Sequence, residues 1–243
     1  MPNDRTALAE RNLQALERNP YPGRGIVIGL NEAGTHLVQV YWIMGRSENS
    51  RNRVFVVEDS GFVRTEAKDP AKLTDPSLII YYPVKQVKRA HIVTNGDQTD
   101  TIADALAAGG SFEGALAART YEPDAPNFTP RISGIVDLDD PQSAYKLSIL
   151  KTSGFGEDQT LRHFYTYERA LPGFGHCIHT YEGDGNPLPS FQGEPRLMPL
   201  VGDAAAIAET YWTKLNADNK ISLLVKTIRL ADGASEVLVI NKE

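Results

Sequence analysis

The chain has 243 residues, 41% of them hydrophobic and 23% charged, and its formal net charge is -6 at pH 7. This length and apolar content suffice for one sizeable core, so we expect a single domain over residues 1–243, with residues 1–20 as a leading helix and residues 21–243 as the body. The acidic balance argues against nucleic acid or an anionic membrane as a partner, and any nucleotide that binds is expected to be small.

Cysteine usage and the N-terminal composition predict the compartment. Cys177 is the only cysteine in the sequence, so no internal disulfide can form. The N-terminal segment has neither the apolar centre of a signal peptide nor the run of ~20 apolar residues that spans a bilayer. We therefore expect a soluble, cytoplasmic protein without membrane contact.

Strand patterns dominate the first part of the chain. Residues 3–18 predict an amphipathic helix that ends at Asn19-Pro20, because leucines recur there at helical spacing. Alternating and β-branched segments then predict strands up to about residue 94. In order they read IVIGL and THLVQVYWIM, which form a hairpin, and then RVFVVE, GFVRTEA, SLIIYYPVKQV and RAHIVT.

The clearest helix follows these strands. Residues 100–119 are rich in alanine and predict a helix that is broken or bent near Gly109-Gly110, with Thr99 or Asp100 as its N-cap. A proline-rich loop comes next, and three further strands are predicted at RISGIVDL, AYKLSILKTS and LRHFYTYER.

The C-terminal part begins with a run of glycine and proline. Residues 172–199 predict a long loop of the functional or mobile kind, and residues 202–217 predict a last helix. The segments ISLLVKTIRL and SEVLVINK then form a hairpin around Asp232-Gly233. Neither a G-x-G-x-x-G nor a P-loop sequence follows a strand, so we predict an α+β protein with helices covering sheets rather than a doubly wound nucleotide fold.

The stretch TNGDQTDTI, residues 94–102, allows two interpretations. Asn95-Gly96 is a favoured turn dipeptide, and a threonine or aspartate here can cap the helix that follows. A cap needs one side-chain oxygen, whereas five residues compete for the role: Asn95, Asp97, Gln98, Thr99 and Asp100. Because two carboxylates oppose an anion at the helix terminus, they suit a ribose hydroxyl, an amide N–H or a neighbouring arginine.

Two other polar stretches are candidate sites. GRSENSRNR carries Arg46, Arg51 and Arg53, and arginine is suited to planar, bidentate recognition of phosphate, although a solvated hairpin tip has the same composition. YEPDAPNFTPR is stiffened by three prolines between a helix and a strand, but ordinary loops share this composition. Its polar residues are Tyr121, Glu122, Asp124, Asn127, Thr129 and Arg131.

The histidines near residue 177 do not predict a metal site. His176 and His179 would lie on opposite faces of a strand, because strand side chains alternate with period two. We expect them to be structural or to contact substrate at most. Cys177 lies between apolar neighbours, so a buried core position is the better interpretation than a nucleophile. We expect no metal ligands.

In this order, GRSENSRNR, VTNGDQTDTI and NFTPRISGIV resemble the archaeal-type IMP cyclohydrolase family over residues 23–140. CIHTYEGDGNPLPSFQGEP looks like a later loop of bacterial relatives, whereas the leading helix and much of residues 141–175 have no clear counterpart. The resemblance implies a four-layer αββα sandwich similar to that of the N-terminal-nucleophile hydrolases. The chain begins MPND before a helix, so the autoprocessed nucleophile of those hydrolases is not expected, and a cyclohydrolase does not need it.

The resemblance also implies a reaction and a set of site residues. The reaction closes the purine ring of 5-formamidoimidazole-4-carboxamide ribotide to give IMP and water, with no cofactor. The expected catalytic residues are Arg46, Asp97, Tyr121, Glu122 and Arg131. The expected substrate-binding residues are Arg51, Asn52, Arg53, Asn95, Gly96, Thr99, Asp100, Asn127 and Thr129.

Within these sets, the three arginines of GRSENSRNR would contact the 5′-phosphate and the oxyanion. Asn95, Asp97 and Thr99 would orient the carboxamide or the ribose, while Glu122 and Arg131 would flank the formyl group. We expect the proton transfers to fall to Glu122, Asp97 or Tyr121.

Two alternatives remain open at this point, and a homo-oligomer is expected in either case. One is a hydrolase or binding protein of the same fold that acts on another purine ribotide or amide. The other is a non-catalytic assembly protein whose leading helix mediates oligomerisation.

Overall fold

The computed structural model describes residues 2–73, 76, 79–153 and 158–243. In this part of the chain, antiparallel strands form two sheets, and α-helices lie against them, which confirms the α+β class. The helices are α1 Pro2–Arg18, α2 Glu48–Arg51, α3 Gln98–Ala107, α4 Phe112–Ala117 and α5 Ala204–Lys214. A 3-10 helix spans Pro70–Lys72.

The first sheet has six strands from both ends of the chain. They are β1 Gly25–Leu30, β2 His36–Met44, β10 Phe174–His179, β11 Arg196–Pro199, β12 Lys220–Arg229 and β13 Ser235–Asn241. Their order across the sheet is β11-β10-β1-β2-β12-β13. The β1–β2 and β12–β13 pairs are the two hairpins predicted from the sequence, and both are confirmed.

The second sheet is an antiparallel meander of seven strands from the middle of the chain. They are β3 Val54–Val57, β4 Val63–Glu66, β5 Val84–Val87, β6 Ala90–Thr94, β7 Arg131–Asp137, β8 Tyr145–Thr152 and β9 Thr160–Tyr167. Their order in the sheet is the chain order from β3 to β9. Part of the predicted strand SLIIYYPVKQV lies outside the described residues, and the strand itself begins only after Pro83.

Three apolar clusters define the order of the layers. Tyr41 of β2 and Val93 of β6 belong to the cluster between the two sheets. On the outer face of the six-stranded sheet, Trp42 stacks on Tyr211 of α5 with ring centroids 6.2 Å apart. On the outer face of the other sheet, Ile102 of α3 joins a third cluster with residues of β6 and α4. The layers are therefore helices, sheet, sheet and helices.

The leading helix packs on its own chain. Leu16 is buried, Leu13 packs against the same cluster as Trp42, and Asn12 Nδ2 donates to Leu197 O at 2.9 Å. Leu13 and Leu16 are thus used within the chain, whereas Leu8 is 41% exposed. None of the described helices has both the length and the apolar composition required to cross a bilayer.

The predicted break near Gly109-Gly110 is confirmed, since α3 ends at Ala107 and α4 begins at Phe112, and Gly109 between them has a φ of +82°. The predicted N-cap of this helix was wrong. The N-cap position is Asp97 rather than Thr99 or Asp100, and its side chain makes no capping hydrogen bond because it binds arginines instead.

The glycine- and proline-rich run was also misread as a loop over its whole length. Residues 172–199 contain β10 and β11, which pair with each other, and β10 pairs with β1. Glycines at 173 and 175 do not prevent this pairing, because Gly175 lies directly opposite Gly29 and lets the two backbones approach.

Candidate active site

A buried carboxylate lies where three segments of the chain meet. Glu122, in the loop before β7, is 2% exposed, and its Oε2 lies 3.6 Å from Arg24 Nη2, just ahead of β1. Its Oε1 lies 3.4 Å from Nδ2 of Asn95, which directly follows β6. Arg24 comes from one sheet and Asn95 from the other, so the packing of the sheets brings the carboxylate its two neighbours.

Asn95 is held rigidly by the backbone around it. Its Oδ1 accepts hydrogen bonds from Ile132 N and from Gln98 Nε2, both at 2.9 Å, and its Nδ2 donates to Pro130 O at 2.9 Å. These bonds tie the turn after β6 to the start of β7. Because each polar atom of the amide has a partner, its orientation toward Glu122 is fixed.

Two arginines share the carboxylate of Asp97. Arg131 Nη1 donates to Asp97 Oδ1 at 2.6 Å and to Gln98 Oε1 at 2.8 Å. Arg119 Nη2 lies 2.6 Å from Asp97 Oδ2. Burial acts to raise the pKa of Asp97, but the hydrogen bonds and positive charges of Arg119 and Arg131 outweigh it and lower that pKa. Asp97 is therefore an ionised anchor for Arg131.

Glycine at position 96 allows this close packing. A Cβ built on Gly96 would lie 2.7 Å from both Arg131 Nη1 and Gln98 Oε1, so any side chain at this position would have to displace these two groups. Beside it, the hydroxyls of Thr94 and Thr99 are 2.6 Å apart, and both donate to Gly96 O. Thr99 is fully buried and maintains the turn.

Charge and burial oppose each other at Glu122. Burial raises its pKa, while Arg24 and Arg131 lower it, and the net effect is a pKa above the ordinary value. A carboxyl group with a raised pKa is suited to take up and release a proton near neutral pH.

The same region holds arginine donors with no partner. Arg53 is 1% exposed, and among the described residues neither its Nη1 nor Nε of Arg24 has a hydrogen-bond partner. Burial, together with the charge of Arg24, lowers the pKa of Arg53. The hydroxyl of Tyr81 lies 2.7 Å from that of Tyr41. Burial raises the pKa of Tyr81, and the charges of Arg53 and Arg24 act to lower it. Buried cationic donors without acceptors suit an anionic or carbonyl ligand.

Stacked aromatic rings connect this cluster to a basic pocket. Tyr181 binds the hydroxyl of Thr129 and stacks on Tyr21 with ring centroids 5.9 Å apart. The guanidinium of Arg46 lies 5.0 Å from the centre of the Tyr21 ring. Arg46 and Arg51 line a pocket of about 590 Å³. The other residues of this pocket are Glu48, Asn52, Lys68, Asp69 and Lys72.

Comparison with known proteins identifies the family. A family model described as IMP cyclohydrolase-like protein matches residues 21–233. The chain belongs to the IMP cyclohydrolase-like family. The IMP cyclohydrolase of Methanopyrus kandleri is 40% identical over 121 residues, 48% of this chain and 59% of the relative. That of Methanococcus maripaludis strain C7 is 35% identical over 129 residues, 51% of this chain and 62% of the relative.

The chain therefore spans 59% and 62% of the length of these two relatives. The match over residues 21–233 confirms the family resemblance drawn from the three motifs, and it extends well beyond them. The site residues assigned by that resemblance remain predictions.

Several predicted residues of this IMP cyclohydrolase-like chain lie outside the Glu122 cluster. Among the described residues, the following five form no hydrogen bond or ion pair with Glu122, Arg24 or Arg131. Arg51 binds Gly45 O and Asn219 Oδ1, and Asn52 binds the backbone of Asp69. Asp100 pairs with Lys85, and Tyr121 packs on Phe128. Asn127 accepts a hydrogen bond from Leu188 N.

Arg46 also has partners of its own, since it pairs with Asp184 and donates to Gly185 O at 3.0 Å. The two histidines near residue 177 are structural in the described contacts. His176 Nδ1 lies 2.6 Å from the hydroxyl of Tyr145, and His179 Nδ1 lies 2.9 Å from Tyr181 O. No three His, Cys, Asp or Glu side chains of the described residues are arranged to hold a metal ion.

Sequence reasoning missed Arg24, Tyr81 and Arg119, and it named Gln98 only as one of the residues competing for the helix cap. A signal existed for Arg24, because it stands between two glycines in YPGRG directly before a buried strand, where a solvated charge has no reason to be. No local signal marks Tyr81 or Arg119, which resemble ordinary strand and helix-end residues.

Proposed function

We propose that the chain is an IMP cyclohydrolase, which closes the ring of 5-formamidoimidazole-4-carboxamide ribotide to give IMP and water. The observation that carries the proposal is the buried Glu122 between Arg24 and Asn95 in a chain of this family. The curated relatives are named IMP cyclohydrolase. The assignment of that activity to this chain is our inference.

The reaction sets clear demands on the site. The carboxamide nitrogen attacks the formyl carbon, the C=O double bond becomes a C–O single bond, and the oxygen gathers negative charge. A proton then moves from the nitrogen to the oxygen, and the resulting carbinolamine loses water. Because an amide nitrogen is a weak nucleophile, holding both arms in one plane can supply ~7 kcal/mol or more of the barrier.

Glu122 is the group that we assign to proton transfer. As a carboxylate it accepts the proton of the attacking nitrogen, and as the acid it passes this proton to the oxyanion, which gives the carbinolamine. In the second step it takes the proton of the formamido nitrogen as the C=N double bond forms, and it gives that proton to the departing hydroxyl, which leaves as water when the C–O bond breaks. Its raised pKa keeps both forms accessible. Asp97 is a poor candidate for this role because Arg119 and Arg131 hold it ionised. Tyr121 packs its ring on Phe128, away from the carboxylate.

Arginine and amide donors would stabilise the developing oxyanion. Arg24 Nε and Arg53 Nη1 are buried donors without partners, so they are free to bind an oxygen atom of the ligand. Asn95 and Arg131 hold the carboxylate and the turn after β6 in place. Each oriented donor of this kind contributes ~3 kcal/mol to stabilisation of the transition state.

The ribotide phosphate fits the basic pocket. Arg46, Arg51, Lys68 and Lys72 supply four positive charges against two carboxylates there. The stacked Tyr21 ring lies under Arg46 and links this pocket to the Glu122 cluster. One nucleotide could therefore place its phosphate in the pocket and its base at the cluster. Asn52 supports the pocket wall through its two hydrogen bonds with the backbone of Asp69.

The fold relationship, the domain organisation and the compartment are also part of this proposal. We infer that the layer order corresponds to that of the N-terminal-nucleophile hydrolases, that residues 1–243 act as one domain, and that the enzyme works in the cytoplasm. Ring closure as written needs no cofactor.

The test follows the absorbance change when purified protein meets freshly prepared formamido ribotide. The wild type is expected to accelerate conversion to IMP over buffer alone, and Glu122→Gln is expected to lower the rate ~100-fold or more. Glu209→Gln, a matched change on the exposed face of α5, should leave the rate unaltered. Full activity of Glu122→Gln, in a sample whose circular dichroism matches wild type, would refute the role of this carboxylate.

A second candidate remains, in which the same site binds or hydrolyses another purine ribotide or amide. The basic pocket favours a phosphorylated ligand in either case. Thermal melting with IMP separates the two, because a ligand at one hundred times its Kd adds ~2.7 kcal/mol to the free energy of unfolding. A folded protein that neither cyclises the ribotide nor gains stability from millimolar IMP would favour the second candidate.

A further inference from the structure

The edge strand β9 is left without a neighbour. It ends the order of the seven-stranded sheet, so one row of its backbone N–H and C=O groups faces away from β8. Leu161 is 40% exposed and Phe164 is 37% exposed, although both are large apolar residues. An eight-residue strand without proline or a bulge is a ready template for pairing with another strand.

The other sheet edges are covered. Along β11, the first sheet is protected by α1, which packs against it. On the far side, β13 and β3 close against each other, since Asn241 Oδ1 accepts from Phe55 N at 2.9 Å and Asn241 Nδ2 donates to Phe55 O at 3.0 Å. Of the edges in the described part of the chain, β9 is the one that remains open.

The sequence of β9 is complementary to itself when two copies run antiparallel. If Tyr165 faces Tyr165 of a second copy, each Arg162 faces the Glu168 of the other copy, and each Phe164 faces Thr166. The four even-numbered residues share the outer face of the sheet, and all are exposed. The register thus forms two Arg–Glu pairs, and opposite charges across adjacent strands stabilise the pairing.

The side chains are free to form these pairs. Glu168 has no ion pair among the described contacts, and Arg162 uses its guanidinium for Arg119 O at 2.8 Å and Thr160 O at 3.5 Å, which leaves other donors available. Phe164 packs edge-on against Phe112 at 6.4 Å, so the partner would also cover an apolar surface that continues into α4.

We propose that β9 is a homodimer interface, in which the β9 strands of two copies pair antiparallel about a two-fold axis at Tyr165. The two seven-stranded sheets become one continuous sheet across the dimer. A second copy of this chain is the occupant because the strand matches its own charges in reverse. Neither this interface nor its test depends on the proposed enzymatic activity.

Charge reversal tests the register directly. Light scattering coupled to size-exclusion chromatography should give a dimer for wild type. Arg162→Glu and Glu168→Arg should each raise the dimer dissociation constant at least about tenfold, since like charges then face each other twice. The double variant Arg162→Glu/Glu168→Arg restores both pairs and should recover the dimer. Arg11→Glu, an equal charge change on the exposed face of α1, should have no effect.

Hydrogen exchange on the wild type provides a second measurement that needs no variant. Amides of β9 should become better protected as protein concentration rises through the dimer range, while amides of β3 should not change. A wild-type monomer at ~100 μM, a dimer that survives both single reversals, or a double variant that stays monomeric would overturn the proposal. Exchange of β9 that is independent of concentration would overturn it as well.

Discussion

Lys226 is expected to destabilise this protein at neutral pH. It lies on β12 within the layer between the two sheets, directly across from Gln39 of β2, and is 1% exposed. No carboxylate of the described residues forms an ion pair with it, and its positive charge contributes to the lowered pKa of His91 on the facing sheet. Burial lowers the pKa of Lys226 from 10.5 to about 8.

The size and sign of the effect follow from that change. A shift from 10.5 to about 8 corresponds to about 3 kcal/mol, because each pKa unit is worth ~1.4 kcal/mol. Between these pH values the unfolded chain binds more protons than the folded chain, so stability rises with pH. Below pH ~8 both states are protonated and the full cost of burying the charge is present.

Lys226→Met removes the charge and keeps an unbranched side chain of similar length. Its free energy of unfolding in urea should exceed that of wild type by about 3 kcal/mol at pH 7, and the difference should shrink toward zero near pH 10.5. The difference between variant and wild type cancels other groups that titrate over this range, tyrosines included.

Lys72→Met is the matched control, because Lys72 is 58% exposed. It should change stability by less than ~0.5 kcal/mol at either pH. If Lys226→Met were no more stable than wild type at pH 7, or if its advantage were the same at pH 10.5, the buried charge would not be the cause.

Two further predictions concern the core and the site. Burial, with the charges of Lys226 and Arg89, lowers the pKa of His91 to about 3. The stability of wild type should therefore fall as pH drops from 6.5. In urea unfolding at pH 4, His91→Leu should be about 3 kcal/mol more stable than wild type. An equal acid dependence in both proteins would contradict this. Gly96→Ala places a Cβ 2.7 Å from Arg131 Nη1 and should lower kcat/KM for cyclisation ~100-fold by displacing that arginine, whereas Gly183→Ala, which meets no atom closer than 3.9 Å, should not. Unchanged kinetics of Gly96→Ala would show that the position of Arg131 is unimportant.

Most secondary structure could be predicted from the sequence, for a local reason. The segments THLVQVYWIM and ISLLVKTIRL carry strand signals that are confirmed as β2 and β12. The errors also arose from local rules. Side-chain chemistry favoured Thr99 or Asp100 as the N-cap of α3, whereas Asp97 occupies that position. Glycine and proline content hid β10, whose pairing with β1 depends on a strand far away in the chain.

The candidate site shows a similar division. Asn95 and Asp97 were recognised as polar groups in excess of what a cap requires, and Glu122 and Arg131 as polar residues of a loop stiffened by prolines. The structure brings the four together. Asn52 and Asp100 looked equally suitable in the sequence, yet they hold Asp69 and Lys85 instead. Composition cannot separate these cases, because a polar side chain in a loop reads the same whether it faces a ligand or a neighbour.

Periodicity and turn chemistry are properties of neighbouring residues, so the linear sequence specifies the strands, the helices and the family motifs. The meeting of Arg24 with Glu122 depends on two sheets packing face to face, and these residues belong to different sheets and distant parts of the chain. Burial of the carboxylate, its raised pKa and the unpaired arginine donors follow from that packing. They arise only in the tertiary structure, because desolvation and charge proximity are set by atoms that the chain brings together from a distance.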